Sequence, residues 1–471
     1  MNAFAEQIDR VRRMCTQARV GLVCDVTGLT VRVTGLPVPV GTMCKIATGT
    51  GEAVEAQVVG FRDDEAVLMP LRDTLGIARG DRVTALPGEA RVGVCDALVG
   101  RVLDGLGNVI DEGPRVHPVA HYPIYRQAPK ALLRSRITKP VATGIRAIDT
   151  MLTAGRGQRM GLFAGTGVGK SVLIGMIARN TDADVCVVAL VGERGREVND
   201  FIEKDLGPEG RKKTVLVVST SDESPVLRVR AGFLATAVAE YFRDRGKNVL
   251  LLMDSVTRLA MAQRQIGLAA GEPPATKGYT PSVFALFPQL LERAGQTSYG
   301  SITGFYSVLV EGDDINDPIG DAVRGTLDGH VWLSRSLAAQ THYPAISVVD
   351  SISRVMVDVV DDPHLKAAKT VRRTLATWSE IEDLVNIGAY APGSNPQFDT
   401  VIQTRQAVQT FLQQGMWESV TFSQAREQLL TVAQEIEQKG KQLTDQQVRR
   451  QADQSVGQPG TATRKVRAGA S

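Results

Sequence analysis

Aromatic side chains are scarce in this chain: Phe, Trp and Tyr together fill 5% of its 471 positions. The scarcity is sharpest over residues 21–90, where Phe61 is the only one. A small barrel that grips single-stranded nucleic acid needs aromatic stacking platforms, so this segment is a poor candidate for that task. An excess of one charge is missing too. The 54 Lys and Arg against 51 Asp and Glu leave a formal +3, so composition makes no case for nucleic acid as the main partner. The five cysteines (Cys15, Cys24, Cys44, Cys95 and Cys186) are odd in number, and no two stand at C-x-x-C spacing. That speaks against a disulfide framework or a zinc site and for a reducing cytosol. No apolar run is long enough to cross a bilayer and no leader is legible. The expected location is therefore cytoplasmic, with any membrane association peripheral or through a partner.

The length suits about three domains. Over residues 1–20, Phe4, Ile8, Val11 and Cys15 recur at helical spacing. The helix they imply either packs on its own domain or docks on a partner or membrane surface, and we read it as a docking helix. Over 21–86, short β-branched runs (21–26, 29–33, 53–60, 66–69, 82–85) alternate with Gly, Pro and Asp turns, which predicts a small β-barrel. Residues 87–140, rich in Gly and Pro, read as a connecting segment. Over 141–362, apolar runs (185–191, 214–218, 249–253, 301–310, 346–349) alternate with helical patterns. This predicts a parallel sheet in an α/β domain, with functional groups at the C-terminal ends of its strands. Residues 363–454 read as a helical C-terminal domain and 455–471 as a disordered tail.

The most informative stretch is Gly165-Thr166-Gly167-Val168-Gly169-Lys170-Ser171, after the apolar residues 160–163 and before a helical run. Small residues let backbone N–H groups curl around phosphate oxygens, Lys170 can reach the β and γ phosphates, and the Ser171 hydroxyl can ligate Mg²⁺. The helix beginning here adds its positive end. The usual first Gly is replaced by Ala164, also small. A ligand-free glycine turn is the competing reading, and the strand–loop–helix context disfavours it. A second carboxylate for the magnesium is available in Asp254, at the end of the apolar run 249–253. Glu193 follows the run 185–191 and stands where a base would face the γ-phosphate, unless it only pairs with Arg194 or Arg196. Arg258 and Arg354 are candidates for the cation that offsets charge on the transferring phosphoryl group. Together these residues predict a nucleoside triphosphatase using Mg²⁺.

The same residues resemble the rotary ATPase α/β family, and more narrowly the type III protein-export ATPases. The resemblance rests on Gly192-Glu193-Arg194-Gly195-Arg196-Glu197, Met253-Asp254-Ser255-Val256-Thr257-Arg258, the run 271–282, Leu290-Leu291-Glu292-Arg293-Ala294-Gly295, Glu311-Gly312-Asp313-Asp314, His342-Tyr343-Pro344-Ala345 and Ser351-Ile352-Ser353-Arg354. It implies an α/β fold: a central RecA-like P-loop domain with a parallel sheet, an N-terminal β-barrel and a C-terminal helical domain. It implies that the nucleotide is ATP, that Glu193 activates the water, that Glu197 and Asp254 support the metal's water shell, and that Arg258 contacts the γ-phosphate. Tyr343 would stack on adenine, Arg354 would reach into the neighbouring subunit, and residues 267–282 would lie near the channel of a ring. The implied assembly is a homo-oligomer of six. Its implied partners are a stator-like regulator at the N-terminal helix, a central stalk, export substrates with their chaperones, and an export gate at the inner face of the membrane. A rotary synthase subunit and an RNA-translocating hexamer are disfavoured by the export-type motifs and the aromatic-poor barrel. The run Glu382–Tyr390 with Gly393-Ser394-Asn395 resembles flagellar members more than injectisome ones. Ser347 departs from the Asp, Asn or His usual in the family, and its hydroxyl is expected to cap locally.

Overall fold

The structure is a computed structural model that describes residues 18–49, 51–310, 314 and 317–456. The expected docking helix lies outside these residues except for its last three positions. The expected tail lies outside them from 457 on, and so do Glu311, Gly312 and Asp313. The chain divides into two compact units. One runs to Val360 and takes in Gln414–Phe422; the other comprises Asp361–Gln413 and the residues from Ser423 on.

The first unit opens with six strands: β1 (Val20–Thr27), β2 (Thr30–Thr34), β3 (Met43–Ala47), β4 (Ala53–Arg62), β5 (Glu65–Pro70) and β6 (Arg82–Ala85). They close into a barrel in the order β1-β2-β5-β4-β3-β6, with β6 pairing back to β1. Alternation along β2 and β3 sends Val31, Val33, Cys44 and Ile46 inward, where they meet Val23, Val58, Leu68 and Val83. β3 was not legible because Lys45 interrupts a run of only five residues.

The connecting segment supplies β7 (Arg91–Val94), β8 (Val102–Leu103) and β9 (Ala120–Pro123). The main sheet follows with β10 (Arg159–Ala164), β11 (Val185–Glu193), β12 (Thr214–Thr220), β13 (Asn248–Asp254), β14 (Gly295–Gln296), β15 (Ser301–Leu309), β16 (Gly329–Leu333) and β17 (Ile346–Ser353). Its order is β17-β16-β10-β15-β13-β11-β12-β8, with β14 beside β15. Every residue of β11 is buried, as a central strand covered on both faces requires. The sheet is parallel from β16 to β8, while β17 and β14 run antiparallel. The parallel sheet is as expected, and β17 adds an antiparallel edge strand to it. The return between β16 and β17 carries the five-residue helix Arg335–Ala339.

Helix Pro225–Asp244 lies against β11, β12 and β13. Its Glu240 meets Arg293 in a bidentate pair, Nε to Oε1 at 3.0 Å and Nη2 to Oε2 at 2.8 Å. Both side chains are fully buried, and Arg293 also donates to the Ile124 carbonyl at 2.6 Å. The Arg of the Leu290–Gly295 motif is therefore a structural pin. Glu240→Ala strands a buried cation and is expected to lose about 3–5 kcal/mol in denaturant melts of the first unit. A loss under about 1 kcal/mol would mean that the pair is dispensable.

The second unit holds helices Asp362–Asn386 and Pro396–Leu412, and the greater part of helix Phe422–Val456. Asp361 and Asn395 cap the first two, and each helix carries a proline, Pro363 and Pro396, in its first turn, where no hydrogen bond is needed. The turn between them is fastened by the Tyr390 hydroxyl donating to the Asp399 carboxylate at 3.1 Å, while the Gly393 N–H donates to the same carboxylate at 2.8 Å. No helix among the described residues is long and apolar enough to cross a membrane.

Candidate active site

β10 ends at Ala164, and helix Lys170–Asn180 begins six residues on. The turn between needs left-handed backbone at Gly167 (φ +79°) and Gly169 (φ +88°), which side chains rarely adopt. Gly165 and Val168 are buried, Thr166, Gly167 and Ser171 are exposed, and Lys170 is half-buried. The loop thus exposes Thr166, Gly167 and Ser171 at a helix N-terminus, a place that favours phosphate.

Two strands away, β13 ends in Asp254, which is 2% exposed. Its carboxylate pairs with the Lys170 ammonium and accepts from the Ser307 hydroxyl at 2.6 Å. Ser307 was missed in the sequence; its only signal is a polar residue inside the apolar run of β15.

Glu193 ends the neighbouring β11 and is 9% exposed. Burial, then the Asp254 charge, then a hydrogen bond with Glu197 push its carboxyl up to about 8, against the opposing charges of Lys170 and Arg258. Glu197 is held below the usual glutamate range by that same hydrogen bond. Its carboxylate also accepts from the Arg194 N–H at 3.3 Å, closing the capping box in which Arg194 is the N-cap of helix Gly195–Asp200.

Arg258 enters from the first turn of helix Val256–Ala270, whose N-cap is Ser255. Its Nη2 stands 3.0 Å from Glu193 Oε2 and 4.0 Å from Glu197 Oε2, and its Nη1 donates to the Gly192 carbonyl at 2.5 Å. Gly192 is required there, with φ +72° and room for a Cβ only 3.1 Å from the Arg258 Cβ.

Tyr343 lies on the other side of the loop. A Cβ at Gly169 would stand 3.6 Å from its ring. Its carbonyl accepts from the Gln414 N–H at 2.9 Å. Residues 414–417 reach the far end of the loop helix as well: Arg179 donates to the Met416 carbonyl at 2.5 Å and stacks on Trp417 at 4.3 Å. Nothing in the sequence announced this strap.

Lys170, Asp254, Glu193, Glu197, Arg258 and Tyr343 are therefore gathered around the loop, and Arg354 is not. The antiparallel course of β17 separates them. Its start, Ile346, pairs with Leu333 level with Ala164, whereas its end, Ser353, pairs with Gly329 level with Met160. Arg354, one residue past Ser353, is exposed at the opposite end of the sheet, where Ser353 already lies about 13 Å lower along β10 by the usual strand rise. Ser347 does cap locally: its hydroxyl donates to the Asp350 carboxylate at 2.6 Å, inside the bulge where β17 slips against β16.

A closed barrel leading into a parallel sheet, with a phosphate loop flanked by a Lys–Asp and a Glu–Arg pair at adjacent strand ends, defines a P-loop nucleoside triphosphatase. Its segments match family models described as "ATP synthase alpha/beta family, beta-barrel domain" over 23–87, "ATP synthase alpha/beta family, nucleotide-binding domain" over 144–353, and "T3SS EscN ATPase C-terminal domain" over 360–431. A flagellum-specific ATP synthase of Treponema pallidum is 51% identical over 404 residues, 86% of this chain and 90% of that one. A type 3 secretion system ATPase of Xanthomonas euvesicatoria is 49% identical over 397 residues, 84% of this chain and 90% of that one. The assembled ATPase EscN of the enteropathogenic E. coli type III secretion system has a TM-score of 0.83 at 44% identity, covering 88% of this chain and 100% of that one. In complex with its central stalk EscO it gives 0.81 at 42%, with the same coverage. The chain belongs to the ATP synthase α/β family, in the branch of the flagellar and type III secretion export ATPases. It binds ATP and is an ATPase.

Proposed function

We propose that this chain hydrolyses ATP in a closed homo-oligomeric ring to energise type III protein export during flagellum assembly, unfolding substrates and releasing their chaperones at the export gate. The observation that carries the ring is the place of Arg354: the site gathers every group hydrolysis needs except a second cation, and Arg354 lies at the wrong end of its own sheet. A head-to-tail contact that closes supplies the missing cation from the next copy at every site. We take the copy number as six. EscN is described as an assembled ATPase with a central stalk, and a stalk, a stator-like regulator at residues 1–20 and the membrane-bound gate are the partners proposed for this chain.

In this reading the backbone of 165–171 cradles the phosphates and Lys170 leaves Asp254 for them. Arg258 swings from Gly192 to the γ-phosphate, and Tyr343 stacks on adenine. Glu193 takes the proton of the attacking water, which only its ionised form can do. Among the described residues no cluster of three or more His, Cys, Asp or Glu side chains could hold a metal alone. The exposed Ser171 hydroxyl and the nearby Asp254 and Glu197 carboxylates instead fit Mg²⁺ brought with the nucleotide, which keeps most of its waters and phosphate oxygens. Bound there, magnesium would neutralise phosphate charge.

The flagellar assignment rests on residues 382–395, while the Xanthomonas relative favours an injectisome as the second reading. An in-frame deletion in the native organism, with filaments counted by electron microscopy, separates them. Loss of filaments, restored by the intact gene and not by Lys170→Ala, is the expected result. Normal filaments with a missing secreted effector would move the assignment to an injectisome.

A further inference from the structure

β10 carries the phosphate loop at one end, and its other end grips the segment that bears Arg354. Gln158, the residue before β10, is fully buried. Its Nε2 donates to the Asp328 carbonyl at 3.2 Å and to the Ser353 hydroxyl at 3.0 Å, and its Oε1 accepts from the Gly155 N–H at 2.8 Å. The Asp328 carbonyl also accepts from the Arg354 N–H at 3.1 Å. The Asp328 carboxylate in turn accepts from Arg159 three times: from N at 3.1 Å, Nε at 3.0 Å and Nη2 at 2.9 Å. The Ser353 hydroxyl completes the mesh by donating to the Thr153 carbonyl at 2.8 Å. None of these groups is near the chain's own nucleotide loop. Their hydrogen bonds converge on the two residues that fix where Arg354 leaves the sheet.

We infer that Gln158 and Asp328 are positioning residues for Arg354, setting the arginine that one copy presents to the nucleotide of the next. The inference rests on the reading of Arg354 as acting between copies. A guanidinium must meet the γ-phosphate to within a fraction of an ångström, so loosening its base is costly: a misplacement of about 1 Å costs on the order of 10²-fold in rate. The strand between the grip and the loop is six residues of paired sheet, so one rigid element serves two neighbouring sites.

A merely structural role for Gln158 would act in whichever copy carries the change, whereas a positioning role acts only in the copy that donates the arginine. Mixed rings of Lys170→Ala and Arg354→Ala chains separate the two, because only the first donates an arginine and only the second offers a working loop. Gln158→Leu added to the Lys170→Ala chain is expected to lower kcat of the mixture at least about tenfold with KM within about twofold. The same change added to the Arg354→Ala chain is expected to leave both within about twofold. Equal effects from the two placements, or none from the first, overturn the inference. If Gln158→Leu lowers the melting temperature so far that rings do not form, Ser353→Ala, which removes one hydroxyl of the mesh, is placed in the same two chains and read the same way. A parent mixture with no activity at all would instead remove the reading of Arg354 between copies, a result visible before Gln158 is touched.

Discussion

Mixing Lys170→Ala and Arg354→Ala chains is expected to restore ATP hydrolysis that neither chain shows alone. Each variant by itself lacks one half of every site. Arg354→Ala keeps the loop, Asp254 and Glu193 but loses the cation on the transition-state charge, a loss of about 10³–10⁵-fold where such an arginine is supplied by a neighbour. Lys170→Ala keeps the arginine but leaves the Asp254 carboxylate, 2% exposed, with the Ser307 hydroxyl as its one hydrogen-bond donor among the described residues. In a head-to-tail ring assembled at random from equal amounts, about one interface in four joins a working loop to a working arginine. Recovery to some fraction of that quarter is the expected result, measured as phosphate release after co-refolding or subunit exchange. Activity that never exceeds the sum of the separate chains would mean that Arg354 serves its own site, against its place at the far end of β17.

The loop, Asp254 and Glu193 were legible in the sequence because each stands at the end of an apolar run, and the end of a run is a property of consecutive residues. β11 is buried throughout and β13 from Val249 on, and their apolar stretches run up to the carboxylates. The barrel was legible for the same reason, except for β3. What was not legible depends on partners distant in the chain. Ser307 meets Asp254 across 53 residues, and Gln414 reaches the Tyr343 carbonyl from beyond helices Asp362–Asn386 and Pro396–Leu412. The reversal of β17 was hidden because a run of apolar residues carries no direction. That direction decides whether Arg354 stands beside the phosphate loop or opposite it, so the most consequential feature of the site came from topology alone.

Glu193→Gln is expected to bind ATP within about threefold of the unchanged chain and to lose about 10²–10⁴-fold in turnover, the usual contribution of a positioned base. Glutamine keeps the shape and can still accept from Arg258, so nucleotide binding has no reason to fail. The pH dependence gives a second reading of the same residue. With the Glu193 carboxyl pushed up to about 8, the free protein holds it mostly protonated at neutral pH. kcat/KM, which reports the free enzyme, should climb about tenfold per pH unit towards that value and level off above it. The sign for stability is the reverse. A carboxyl raised from 4.5 to about 8 contributes stability that is full below pH 4.5 and lost as the pH rises through about 8. Glu193→Gln cannot ionise and should therefore melt higher than the unchanged chain above pH 8, and equally with it below pH 4.5. Glu197→Gln replaces the acceptor that favours the protonated form, so it should move the rising limb of kcat/KM to lower pH. A flat profile from pH 6 to 9, with turnover intact in Glu193→Gln, would assign the base to another group.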